Sequence, residues 1–332
     1  MVNWSFYKMK KGFKIVAVLF FLSSILYATI PWGFYAHKQA NRYAVFTLPE
    51  ELIGFYKKHI DHLTEHAVDA DKRRYAIKEE APRHYIDIDH YGENPFEIMP
   101  RKWNDAVEKF TEDTLLAYGI VPWHIQTVYN RLVKAFENHD VDYILKNSAD
   151  LGHYVSDAHV PLHTTENYNG QLTGQKGIHA FWESRLPELF ADDYDYLVGS
   201  ATYRYSVLDV AWNAVEGSFN ALDSVLDFDK VLSAEYEQDK QYSYEKRGQK
   251  TIKQKSAEFS TAYHVMLDGM VERRLRLSIK TVGDLWYSAW VDAGQPDLQK
   301  LQNTPPSAAF IEELKQLEKD YQNGAHKGRI CD

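Results

Sequence analysis

Apolar residues recur at helical spacing along most of the chain. In PEELIGFYKKHIDHLTEHA, Leu52, Phe55, Tyr56, Ile60 and Leu63 fall on one face. Further amphipathic segments run from Trp103 to Tyr118, Pro122 to Phe136 and Val141 to Val160. Pro122 suits the first turn of its helix, and Gly119 suits the stop before it. Arg204 to Leu226, Ser256 to Trp290 and Ala309 to Tyr321 continue the pattern, with Gly269 and Gly283 as candidate breaks in the second. Strand-like alternation is confined to the short run HYIDID. That run lies in residues 68–97, which hold Pro82, Gly92 and Pro95 and show no sustained period. They read as an irregular crossing of one end of the domain. The pattern predicts an all-α fold, a single large irregular helical bundle with its site at one end. The bundle covers residues 32–300, followed by a charged helix and a loose tail over 301–332.

Ahead of the bundle, Lys8, Lys10, Lys11 and Lys14 precede an uncharged run from Ile15 to Ile30. A basic start before such a run predicts that residues 1–31 are a signal peptide or an uncleaved membrane anchor. The expectation is an exported protein, periplasmic or secreted, or one held at a membrane surface through residues 15–30. The net charge of −9 argues against broad, non-specific binding of nucleic acid, which needs a basic face. It leaves open cleavage of nucleic acid in a metal-lined pocket, where a bound cation reverses the local field. Cys331 is the sole cysteine, so neither an internal disulfide nor a multi-cysteine metal site can form. Any metal must rest on His, Asp and Glu.

Such residues concentrate between Leu151 and Glu183. His153 with Asp157, and His179 with Glu183, are each four apart and so share a helix face. Pro161 is expected to end the first helix and free His163 to reach a second ion. His159, two positions from Asp157, points elsewhere and reads as structural. His59, His62 and His66 read as ordinary helix histidines. Imidazoles and carboxylates without cysteine suit a catalytic zinc site. Tyr85, Tyr168 and Trp182 are candidate walls for a base or a headgroup. Asp87, Asp89 and Glu166 are candidates for orienting ligand imidazoles.

HYVSDAHVPLH followed by GIHAFWE resembles the zinc-dependent phospholipase C and single-strand-specific zinc nuclease superfamily. Its members carry an H-x3-D-x5-H run, then an H-x3-[DE] pair, after an N-terminal Trp with a His shortly behind it. Here WGFYAH holds Trp32 and His37, and RHYIDID holds His84. An acidic ligand is also expected from this region. The local wording DKRRY favours Asp71, and the distance to His84 fits Asp69 at least as well.

The resemblance implies three zinc ions. One would be held by Asp69 or Asp71 with His84, His153 and Asp157, and a second by His163, His179 and Glu183. The third would be held by His37, by Asp157 as a bridge, and by the amine and carbonyl of Trp32 if the mature chain begins there. It also implies a hydrolase that uses metal-activated water on a phosphodiester, with Asp69 or Asp71 in a catalytic role. A phospholipase C-like activity releasing a phosphorylated headgroup is slightly preferred, given the short gap from His163 to His179, Glu183 in place of Asp, and the acidic charge. The alternative is a nuclease or nucleotidase giving 5′-monophosphates from single-stranded nucleic acid. A third reading is a non-catalytic, zinc-stabilised anchored binding protein. The expected partners are a phosphodiester substrate and a membrane surface, with no protein partner.

Overall fold

A computed structural model describes residues 34–247, 250–327 and 329. Trp32 and the segment 1–31 lie outside the described residues. The described chain is mainly helical. Six helices position the site: α1 (Phe34–Ala44), α2 (Val121–Glu137), α3 (Val141–Ala158), α4 (Val207–Glu235), α5 (Met270–Asp292) and α6 (Ala308–Asn323). Among the described residues, no helix is long and apolar enough to cross a membrane.

Helix α3 is the centre of the packing, in contact with α1, α2, α4 and α5. Asp140 caps its start by accepting the amide of Tyr143 at 3.2 Å. From Asn147 to Ala158 every side chain is buried, so the helix is enclosed on all faces. Its polar groups must therefore find partners inside. Ser148 meets the Tyr56 hydroxyl at 2.9 Å, and Ser156 meets that of Ser278 at 2.8 Å. Gly152 permits the closest approach: a Cβ there would stand 1.7 Å from Oδ1 of Asn41.

Two apolar cores build the interior. The larger takes Leu151, Tyr154 and Val155 from α3 with Trp286 from α5 and Trp212 from α4. The smaller takes Ile178, Phe181 and Trp182 with Phe259 and Tyr263. His153 and Asp157 thus stand on an element of the first core, and His179 and Glu183 on elements of the second.

Several boundaries differ from the sequence pattern. The segment 103–118 is two helices, Trp103–Phe110 and Glu112–Tyr118, parted at Thr111 with φ 68°. The long run 256–290 breaks at Gly269, where φ is 71°, and continues unbroken through Gly283. Gly283 serves close packing, since a Cβ there would fall 1.9 Å from Oγ1 of Thr47. HYIDID forms no strand; its Ile86 amide donates to the His163 carbonyl at 2.9 Å.

A hairpin appears instead where no alternation of apolar residues announced one. Strands β1 (Tyr242–Arg247) and β2 (Lys250–Lys255) pair antiparallel, with Tyr242 opposite Lys255 and Tyr244 opposite Lys253. Both strands are polar, so the periodicity that marks a half-buried strand is missing. The tail is also less loose than its composition suggests. The amide of Lys327 donates to the Arg74 carbonyl at 2.9 Å.

Candidate metal centre

The predicted ligands among the described residues arrive on long helices, short helices and tight turns. His37 comes from α1, and His153 and Asp157 lie one turn apart on α3. Asp71 sits on the short helix Asp69–Arg73, and His84 follows the tight turn Lys78–Arg83. Pro161 opens the tight turn Pro161–Thr164, which carries His163. His179 lies in the short helix Ile178–Ala180, which widens into a π turn, Phe181–Arg185, carrying Glu183.

These side chains converge in two groups. In the first, Nε2 of His153 lies 3.0 Å from Nδ1 of His84 and 3.2 Å from Oδ2 of Asp157. Nδ1 of His84 is 2.9 Å from the same Asp157 oxygen. Oδ1 of Asp71 completes the group, 3.7 Å from His84 and 3.8 Å from His153. In the second, Nε2 of His163 and Nε2 of His179 stand 3.2 Å apart, with Glu183 at 3.5 and 2.7 Å from them. His37 links the two groups, its Nε2 3.5 Å from both Asp157 and Glu183. The other oxygen of Asp157, Oδ1, faces His37 and His163.

The donor set fits metal. Zinc–nitrogen bonds of about 2.0–2.1 Å in a tetrahedron put ligand atoms roughly 3.3 Å apart, the separation seen here. The tautomers fit too. Nδ1 of His153 donates to the Ala67 carbonyl at 2.8 Å, Nδ1 of His163 to that of His84 at 2.7 Å, and Nδ1 of His179 to that of Tyr168 at 3.1 Å. A carbonyl can only accept, so each Nδ1 carries a proton, and each Nε2 is turned inward, where it would offer its lone pair to a bound metal ion. His84 is turned the other way, with Nδ1 in the group and Nε2 3.6 Å from Glu80.

Charge tells the same story. Burial pushes the Asp157 carboxyl up, yet His153 and His163 hold it well below the ordinary carboxylate range. Burial likewise opposes a charged Glu183, and the hydrogen bonds of His163, His179 and His37 bring it well below its usual value. Burial disfavours a protonated His37, but Glu183 and Asp157 push its pKa up to about 9. The carboxylates thus demand positive charge at this spot, whether from protons or from a metal ion.

The structure separates the two aspartates left open by the sequence. Asp69 and Asp71 are two positions apart on one short helix and face different ways. Asp71 joins the first group. Asp69 instead binds Nδ1 of His66 at 2.7 Å and Lys72 at 3.2 Å. His159 also points away, its Nδ1 donating to the Val155 carbonyl at 2.7 Å.

Three aromatic candidates part company. Trp182 is buried within the smaller core. Tyr85 and Tyr168 lie beside the site, but the Arg329 guanidinium sits over both rings, at 4.2 and 3.5 Å. The acids expected to orient imidazoles do other things. Asp87 pairs with Arg329, Asp89 accepts from Thr165, and Glu166 meets His90. Backbone carbonyls perform the orienting role.

Glu80 was missed. It is fully buried and receives Arg73, Arg83 and the Tyr154 hydroxyl as well as facing His84. It stands four residues before His84, the spacing of the other two pairs, but Pro82 hid the helical turn. The groups open on a cleft of about 730 Å3, whose wall includes Arg74, Arg185, Tyr242 and Lys253. No protein-family model matches the sequence, and no curated protein matches it significantly.

Proposed function

We propose that this protein is a zinc-dependent phosphodiester hydrolase, acting by preference on phospholipid headgroup esters. One observation carries the reading: three imidazoles locked by carbonyls turn their Nε2 atoms toward buried carboxylates beside an open cleft. Bound divalent metal would supply Lewis acidity toward a phosphoryl oxygen and toward water. Asp71, His84, His153 and Asp157 would hold one ion, and His163, His179 and Glu183 another, with His37 and Asp157 toward a third. Asp71 has the most exposed of the first group's side chains, at 21%. Burial raises its carboxyl, but His153 and His84 lower it below the usual value, so the ionised carboxylate would be an acceptor for a proton from water as well as a metal ligand. Lys253 on the cleft wall is a cation available to a phosphate, whereas Arg185 is held by Glu188 and Glu245. The basic start and uncharged run 15–30 support an exported enzyme with access to lipid.

A nuclease reading is favoured by one feature of the hairpin. Nζ of Lys253 lies 4.1 Å over the Tyr242 ring, and Tyr244 is 74% exposed, an interleaving that suits single-stranded bases and phosphates. Assay of the metal-stripped and zinc-restored protein on a phosphocholine ester and on single-stranded DNA tests both. Zinc-dependent cleavage of the ester at the higher rate is expected. Faster cleavage of DNA would transfer the assignment to a nuclease, and cleavage of neither would overturn the proposal.

A further inference from the structure

The tail residue Arg329 holds together the two loops that fix the histidine tautomers. Its side chain is 7% exposed. Nη1 pairs with Asp87, and Nη2 donates to the carbonyls of Leu162 and Thr165, each at 3.2 Å. Its planar face is stacked against Tyr85 and Tyr168. All of these partners belong to residues 85–87 or 162–168. The first stretch directly follows His84, whose carbonyl locks His163. The second contains His163 and ends at Tyr168, whose carbonyl locks His179. A guanidinium suits such a seat, because its flat face stacks on rings while its edge donates in several directions.

We propose that Tyr85, Tyr168, Asp87 and the carbonyls of Leu162 and Thr165 form a guanidinium site, and that Arg329 fills it as a positioning residue for His163 and His179. With the seat filled, the two loops keep their spacing and the two Nε2 atoms keep theirs. With it empty, Asp87 loses its ion pair, the rings lose their filling, and both locking carbonyls gain freedom. The inference rests on the metal reading above, but its failure is distinguishable from failure of that reading.

The test measures zinc affinity by competition with a chromogenic chelator, without any substrate. Wild-type protein that binds no zinc would sink the metal reading itself. Given wild-type binding, Arg329→Ala should weaken affinity about 10–100-fold, the usual effect of losing a partner that orients ligands. Millimolar methylguanidinium should recover most of that loss, whereas its neutral isostere N-methylurea should not. A purely structural role would lower the melting temperature without cation-specific rescue of affinity. Unchanged affinity in Arg329→Ala, or a loss that methylguanidinium leaves in place, would overturn the proposal. If circular dichroism shows Arg329→Ala unfolded, Asp87→Asn supplies the affinity measurement in its place. It keeps the seat's shape, and it should also weaken zinc binding, with unchanged affinity again overturning the proposal.

Discussion

Nε2 of His163 and Nε2 of His179 face each other at 3.2 Å, and both Nδ1 atoms are committed to backbone carbonyls. Two inward lone pairs at that distance would repel unless a proton or a metal ion lay between them, and Glu183 beside both nitrogens favours that positive charge. Replacing His179 by Ala should therefore lower zinc affinity by at least an order of magnitude and remove phosphodiesterase activity. Equilibrium dialysis with metal analysis checks the first effect, and retained stoichiometry would refute it.

Asp71→Asn and Asp69→Asn should behave differently although the two residues are neighbours. Asp71 faces His84 and His153, so its change should reduce zinc-dependent activity about 100-fold. Asp69 holds His66 and Lys72, so its change should act mainly on thermal stability. Comparable losses of activity in the two variants would contradict the placement of Asp71.

Gly152→Ala should be strongly destabilising. The added methyl would meet Asn41, whose amide is fixed by donating to the carbonyls of Leu63 and Ala149 at 3.1 and 3.2 Å. Neither helix can yield without breaking those bonds, so a cost of about 2–4 kcal/mol is expected in urea unfolding. A loss below about 0.5 kcal/mol would show that α1 and α3 are less closely held.

Stability should fall as pH drops from about 6.5 toward 3. Burial, with Arg274 nearby, lowers the His159 pKa to about 3, and burial, with Arg83 nearby, does the same for His124. Both pKa values are depressed on folding, so the unfolded chain binds the extra protons in this window. Each histidine contributes up to about 1.4 kcal/mol per pH unit. Urea melts across this range should be flatter for His159→Gln; an unchanged slope would remove His159 from the account.

The sequence by itself determined the helical class and the residues with metal-ligating chemistry. The pairs His153/Asp157 and His179/Glu183 were legible because four residues make about one helical turn, whatever packs around it. Pro161 likewise marked the end of α3 by its own backbone limits. The hairpin was not legible, because its polar strands lack an apolar rhythm. Glu80 escaped because its turn runs through Pro82, and the choice between Asp69 and Asp71 depended on which way one short helix is rotated. Arg329, about 160 residues beyond Tyr168, could be joined to Tyr85 only by the path of the folded chain. Local spacing follows from bond geometry, and is written in the order of residues. The carbonyls that set each imidazole, and the cation that joins two loops, arise from contacts between distant segments, and only the tertiary structure decided those.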